Sequence, residues 1–301
     1  MKITDRPDLL ATFVRIAETG SLTAAARSLE LSQPSVSRQL RSLEEALGAR
    51  LIHRTTHRMA LTETGEVVLA EARRILADLQ GLAERVRGAE ADISGLLRVI
   101  APVALGQGRL VDLAARLVRR HPGLRFDWML TDRALDPVAE GADCVIRAGA
   151  ISEPDLVARP LAEIRRVLVA SPALARDDLA QIDGLPGLAS RPFHGALIPL
   201  IDGQGNPRSL ATEIVFASDN ILAVHRAALM GLGVALLPQW MVEADLAAGR
   251  LVRLAPGLEG KPLAISLGYP AGRHRPARLT AFIEALREDL SAAQGFARPP
   301  A

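Results

Sequence analysis

Ser32, Gln33, Ser35, Ser37 and Arg38 fall in one short stretch that offers hydroxyls, a carboxamide and a guanidinium. Arginine can bond guanine bidentately and glutamine can pair with adenine, while hydroxyls and free helix N–H groups suit phosphate. Further on, Arg50, Arg54 and Arg58 alternate with His53 and His57 around Thr55, and no acid lies between Ala46 and Thr62. This chemistry suits a polyanion that also carries readable base edges. Taken alone, the basic stretch reads rather as a solvated loop; its place directly behind the reading helix favours recognition instead.

Catalytic chemistry is not visible. The histidines at 53, 57, 121, 194, 225 and 274 show neither HExxH nor any other metal-ligand spacing. No nucleophile-elbow GxSxG and no P-loop occurs, and Gly106-Gln107-Gly108 and Gly231-Leu232-Gly233 lack the third glycine of a dinucleotide fingerprint. Cys144 is the only cysteine, which excludes an intrachain disulfide and a thiolate metal cage. It sits in an apolar strand pattern and reads as a small buried hydrophobe, with a redox sensor as the alternative. No catalytic residue, metal ligand or cofactor is expected.

The elements that position the reading residues are legible from periodicity. Leu9, Phe13 and Ile16 share one face of a helix over 8–18, which Gly20 ends. Ser21 caps a second helix, Leu22 to Leu29, and Ser32 caps a third, with Pro34 in its first turn. Val36, Leu40, Leu43 and Leu47 form the buried stripe of that third helix, so Arg38 and Arg41 point away from it. A short helix, a tight turn and a helix with a polar, cationic N-terminal end make a helix-turn-helix. Leu51, Ile52, Met59 and Leu61 anchor a β-hairpin with a cationic tip, a wing suited to a narrow minor groove.

Thr62 caps a long helix over 63–92 with Glu63 and Glu66 near its start. Val68, Ala72, Ile75, Leu79, Leu82 and Val86 are spaced four and three apart, the pattern of a heptad seam. Its partner is a second copy, giving a two-fold dimer with two reading heads; packing on the chain's own first helices is the alternative.

These residues resemble the DNA-binding end of the LysR-type transcriptional regulators. The resemblance is carried by Phe13-Val14-Arg15-Ile16-Ala17-Glu18-Thr19-Gly20-Ser21-Leu22-Thr23-Ala24-Ala25-Ala26, by Leu31-Ser32-Gln33-Pro34-Ser35-Val36-Ser37-Arg38-Gln39-Leu40, and by Arg54-Thr55-Thr56 with Leu61-Thr62-Glu63-Thr64-Gly65. It implies major-groove contacts for Gln33, Pro34 and Arg38, backbone contacts for Ser32, Ser35 and Ser37, and a wing tip at Arg54 or Arg58. It also implies tetramers built from two dimers, with RNA polymerase as a candidate partner.

The remaining chain alternates short apolar strands and helices. Strands are expected at Leu96–Ala101, Phe126–Leu130, Cys144–Arg147, 165–170, 185–189, 213–216 and 263–269. Helices are expected around 110–118, near Pro137, and at 219–231 and 276–290. Such alternation implies α/β domains with largely parallel sheets, which bind ligands beyond the carboxyl ends of their strands. The resemblance continues through Asp132-Arg133, Glu140 to Gly149, Arg166 to Pro172, Ser218-Asp219-Asn220 and Gly231 to Pro238.

It implies a periplasmic-binding-protein-like effector domain of two subdomains, with chain crossings near 163–165 and 265–267. The cleft residues it implies are Ala101, Pro102, Val103, Arg147, Ala148 and Ser218, with Phe193, His194 and Leu197 nearby. Many relatives carry a hydroxyl near 101 or 103; this chain has Ala101, Val103 and Ala104, which favours a more apolar or bulkier effector than a small carboxylate. Arg147 is open to an anion-binding or a structural role.

The expected architecture is therefore α+β and multidomain. A winged helix-turn-helix occupies 1–62, a linker helix 63–92, and the effector domain 93–301. Within the last, 93–164 with 266–301 form subdomain 1, and 165–265 form subdomain 2. The chain has 301 residues, 49% apolar and 23% charged, with a net charge of +2, which excludes general disorder and a polybasic membrane binder. Asp5, Pro7 and Asp8 near the start argue against a secretory signal, so the cytoplasm is the expected location and no membrane partner is expected. Two rival classes are weaker. A solute-binding protein would be exported, and an enzyme with an appended interaction domain would need a reacting pair of groups.

Overall fold

The computed structural model describes residues 6–54, 59–87, 93–175, 179–191, 197–271 and 275–297. Two compact units emerge, one of residues 1–93 joined by 135–143 and 272–277, the other holding the rest.

In the first unit α1 (Pro7–Thr19) carries proline in its first turn, where a missing N–H costs little. Ser21 accepts the Ala24 amide at the start of α2 (Leu22–Ser28), and Ser32 accepts the Ser35 amide at the start of α3 (Gln33–Leu47). Leu9, Phe13, Ile16, Ala25, Val36, Leu40 and Leu43 close one core. Each such large buried side chain contributes about 1.5–3 kcal/mol. Leu47 departs from the expected stripe and is 37% exposed, because it stands on the last turn of α3, past the end of that core.

The wing is present as β1 (Ile52–Arg54) and β2 (Met59–Leu61), antiparallel, with Ile52 opposite Leu61. Leu51 and Ile52 are buried, and Met59 and Leu61 pack on the same core. α4 (Glu63–Arg87) begins where Thr62 accepts the Gly65 amide at 2.9 Å and donates its hydroxyl to the Arg50 carbonyl at 2.7 Å. Only glycine fits at 65, since a Cβ there would lie 2.1 Å from the Leu51 carbonyl oxygen.

The expected seam on α4 needs correction at its start. Ala72 is buried in the core shared with α1, and half-buried Val68 packs on that core with Leu69 and Leu76, so the start of the row serves the chain's own head. Ile75 and Leu79 are 40% and 46% exposed. The physical reason is that a heptad row and a 3.6-residue core face overlap for the first turns and then drift apart. Leu82 and Val86 belong to the same helix further along; residues 88–92, expected to extend it, lie outside the described residues.

The helix expected near Pro137 is a set of turns. Asp136 accepts the Val138 amide at 2.8 Å through its side chain, a local bond that competes with helix, and the Ala142 amide closes back on Pro137. Arg73 of α4 donates to the Glu140 carbonyl at 3.2 Å, which fixes this segment to the first unit.

In the second unit β3 (Gly95–Ala101) lies between β4 (Leu124–Leu130) and β5 (Cys144–Ala148), both parallel to it. Between β3 and β4 come α5 (Val103–Leu105), a π-helical turn over Gly106–Leu110, and α6 (Val111–Arg120). β6 (Leu156–Ala170) then leads to α7 (Leu179–Ile182), β7 (Pro186–Ser190), β8 (Leu197–Asp202), β9 (Pro207–Ala211) and β10 (Glu213–Ser218). The chain continues through α8 (Ile221–Leu229), β11 (Val234–Pro238), α9 (Gln239–Ala247), β12 (Val252–Arg253), β13 (Leu258–Pro270), α10 (Ala277–Ser291) and β14 (Phe296–Ala297).

The main strand order is β10-β7-β11-β6-β13-β5-β3-β4. The sheet is mixed rather than largely parallel, because the long β6 and β13 pair antiparallel with each other and with their neighbours β11 and β5. Parallel groups flank them, β3, β4 and β5 on one side and β7, β10 and β11 on the other. α10 buries Phe282 edge-on to Phe126 and Trp128; α8 and α9 bury Val224, Ala228 and Val242 against β7 and β11.

β6 keeps β13 along one edge from Leu156 to Val167 and takes β11 along its other edge from Arg166 to Val169. Along its other edge β13 passes from β8, at Leu258 and Glu259, to β5, from Ile265 to Gly268.

Candidate DNA-reading surface and effector cleft

The start of α3 presents Ser32, Gln33, Pro34 and Arg38 to solvent, with Ser35 and Ser37 half-buried. Val36 and Leu40 hold the helix down, so the other faces are forced outward. The polar groups are already ordered among themselves. The Ser32 and Ser35 hydroxyls lie 2.9 Å apart, and Arg38 donates to Ser35 Oγ at 3.2 Å. Thr12 of α1 donates to Gln39 Oε1 at 2.6 Å, a polar tie that periodicity did not reveal. Glu44, which by sequence reads with Glu45 as a solvated charge, is instead buried and accepts the Leu51 amide at 2.9 Å, joining α3 to the wing. Of the wing residues, Arg54 ends β1, while Thr55, His57 and Arg58 lie outside the described residues.

In the second unit the strand registers bring two sets of carboxyl ends to one place. Ala148, last on β5, aligns with Ile265 and through it with Ala162; Pro238, last on β11, aligns with Arg166. Residues 162–166 of β6 are the short bridge between them. Both parallel groups therefore open on the crossover, the placement that suits a ligand in α/β sheets.

The expected cleft residues have distinct environments. Ala101 is fully buried, so its side chain offers nothing to a ligand, a correction that follows from the place of β3 inside the sheet, flanked by β4 and β5. Pro102 and Val103 are half-buried at the start of α5, and the Val103 amide donates to Asp132 Oδ1 at 3.0 Å. Partial burial holds the Asp132 carboxyl above its usual range; the Val103 amide opposes that, and the like charge of Asp219 adds to it. Asp132 appeared in the sequence only as part of a motif.

Arg147 is half-buried and paired with Glu153 at 2.5 Å, and this bond holds the Glu153 carboxyl below its usual range. Ala148 is exposed. Ser218 ends β10 and its Oγ accepts the Asn220 amide at 3.1 Å; Asn220 in turn caps α8. Leu197 is exposed at the start of β8, whereas Phe193 and His194 lie outside the described residues. Cys144 is fully buried in β5. Among the described residues no group of histidine, cysteine or acidic side chains has a metal-binding arrangement. No helix of the described residues is long and apolar enough to cross a membrane.

A winged helix-turn-helix with an exposed polar N-terminal helix end, on the same chain as a two-subdomain α/β domain, defines a DNA-binding regulator with a ligand-sensing domain. Residues 7–66 match the family model of the bacterial regulatory helix-turn-helix protein, lysR family, and residues 90–291 that of the LysR substrate binding domain. The chain belongs to the LysR-type transcriptional regulators. It is 36% identical over 290 residues to the HTH-type transcriptional regulator PtxR of Pseudomonas aeruginosa, covering 93% of this chain and 92% of that protein. Among solved structures it is similar to CrgA, a LysR-type regulator of Neisseria meningitidis. The identity is 27% and the TM-score 0.59, with 94% of this chain and 98% of that one covered. A likeness in fold alone extends to a full-length variant of OxyR from Pseudomonas aeruginosa, with a TM-score of 0.70 at 19% identity over 98% of each chain. The protein is thus a DNA-binding transcriptional regulator with an effector-binding domain, not an enzyme.

Proposed function

We propose that Gln33, Pro34 and Arg38 read base edges in the major groove while Ser32, Ser35 and Ser37 hold phosphates. The wing, with Arg54, Thr55 and Arg58, enters the neighbouring minor groove. The observation that carries this reading is the exposed start of α3, where Arg38 and the two serine hydroxyls already form one hydrogen-bonded set. Order in the free protein lowers the entropy cost of docking.

Two such heads act in a dimer joined along α4 beyond Ala72, through Ile75, Leu79, Leu82 and Val86, with pairing of dimers into tetramers. The exposure of Ile75 and Leu79 supports this. The protein works in the cytoplasm on promoter DNA, and its output reaches RNA polymerase by contact or by exclusion.

The effector binds at the crossover between the parallel groups, bounded by Pro102, Val103, Arg147, Ala148 and Ser218. It is bulkier or more apolar than a small carboxylate. The Val103 amide is taken by Asp132 and the Arg147 guanidinium by Glu153, so the groups that would hold a small anion are already engaged. Binding closes the cleft and changes the spacing of the reading heads.

Fluorescence anisotropy with DNA from upstream of the protein's own gene, at two salt concentrations, tests the DNA reading. Saturable, salt-dependent binding with a preference over scrambled DNA is expected. No binding at low salt would overturn it.

A further inference from the structure

Behind the crossover the chain end makes a contact that reaches both halves of the effector domain. β14 pairs with β6 at Ile164 and Glu163, along the edge of β6 just ahead of the residues that pair with β11. Gly295 accepts the Arg165 amide at 3.0 Å, so the main chain is fastened where this edge of β6 passes from β14 to β11. Gly295 has φ +82°, and a Cβ there would lie 2.9 Å from the Trp240 amide nitrogen, so glycine is required twice over.

Phe296 contacts two side chains from opposite halves. Its ring stacks on Trp240, with centroids 6.2 Å apart and planes 24° from parallel. Trp240 lies two residues past the end of β11, on α9. The Arg109 guanidinium lies over the same ring, 5.7 Å from its centre. Arg109 belongs to the π-helical turn that follows β3, and it is held there by Asp289 of α10. It donates to the Asp289 main-chain carbonyl at 2.9 Å and forms an ion pair with the carboxylate at 2.6 Å. Arg116 holds the other carboxylate oxygen of Asp289.

We propose that Phe296 is a hinge clamp. Its contacts with Arg109 and Trp240 set the angle between the two subdomains in the effector-free protein. Closure of the cleft must slide one of these two contacts, so the clamp tunes how readily the effector domain changes state. Stacking and cation–π contacts suit this role because each holds only while the ring keeps its partner within roughly 6–7 Å of its centre. The inference deepens the proposed effector cleft and rests on that reading for its consequence, while the clamp itself is a property of the free protein.

The test is therefore made without effector or DNA, on the full chain. Spin labels are placed at Arg120→Cys and Ser209→Cys, exposed positions on the two halves, with buried Cys144 left in place. Labelled protein is diluted with unlabelled protein so that distances are within one chain. Double electron–electron resonance then gives the distance distribution for the parent, for Phe296→Ala and for Trp240→Leu. A distribution at least twice as broad, or a displaced mean, is expected in both variants. Phe296→Trp, which keeps an aromatic face, is expected to restore the parental width. Should Phe296→Ala lose its circular dichroism signal, Trp240→Leu carries the comparison. Unchanged distributions in folded variants overturn the clamp and leave the effector cleft standing. Failure of the cleft reading would leave this measurement unmoved and would show instead as effector-insensitive DNA binding.

Discussion

The carboxylate of Glu44, near the end of the reading helix, accepts the amide of Leu51 at 2.9 Å, one residue before the wing strand begins. A buried carboxylate thus spans the turn at Gly48 and sets where the wing leaves α3. Removing it strands the Leu51 N–H in the core, a loss of about 1–3 kcal/mol. Glu44→Ala is expected to lower thermal stability by that amount and to weaken DNA binding, with Glu44→Gln intermediate because its amide oxygen still accepts. Calorimetry and anisotropy on the same preparations check both parts.

Arg38 lies on the exposed face of α3 and is held by Ser35 at 3.2 Å. If it bonds guanine bidentately, Arg38→Ala costs about 1–3 kcal/mol on the specific site and little on scrambled DNA. An equal loss on both sequences would assign Arg38 to phosphate instead. Titrations with the two DNAs side by side decide between them.

Ala72 and Ile75 are three residues apart on α4 and are expected to respond in opposite ways. Ala72 is buried in the core with α1, whereas Ile75 is exposed. Ile75→Glu or Leu79→Glu should leave the helical signal intact and halve the mass in light scattering. Ala72→Glu should unfold the head, since it buries an unpaired charge. An unchanged dimer mass for Ile75→Glu and Leu79→Glu would remove the seam.

Asp245 of α9 is buried, which by itself raises its carboxyl. The bonds from Arg250 at 2.6 Å and His225 at 2.7 Å outweigh this and leave it below the usual range. A carboxyl lowered on folding contributes stability above its unfolded pKa of about 4 and loses it as pH falls through the folded value. Asp245→Ala is expected to cost about 2 kcal/mol at pH 7. That difference should shrink below about pH 4 in denaturant titrations at a series of pH values.

Much of this molecule was readable one element at a time. Ser21 and Ser32 announce helix starts, the Val36–Leu40–Leu43 stripe orients α3, and alternation at Phe126, Trp128 and Leu130 marks β4. These signals are local because caps and periodicity act within a turn or a pleat. Strands β8, β9 and β11 and helix α9 gave weaker local signals and emerged only with the folded sheet.

The amino-acid sequence by itself determined the reading helix, the wing and the family. Partner choice was decided by tertiary structure alone. Whether Val68 faces a second copy or α1, whether Arg147 is free for an anion or engaged by Glu153, and whether the Val103 amide is open or taken by Asp132 all depend on groups brought close by folding. The contact of Phe296 with Arg109 joins residues far apart along the chain, and no short-range pattern encodes it. Burial and hydrogen-bond geometry, which select one partner among many chemically possible ones, exist only once the strands of the crossover are in register.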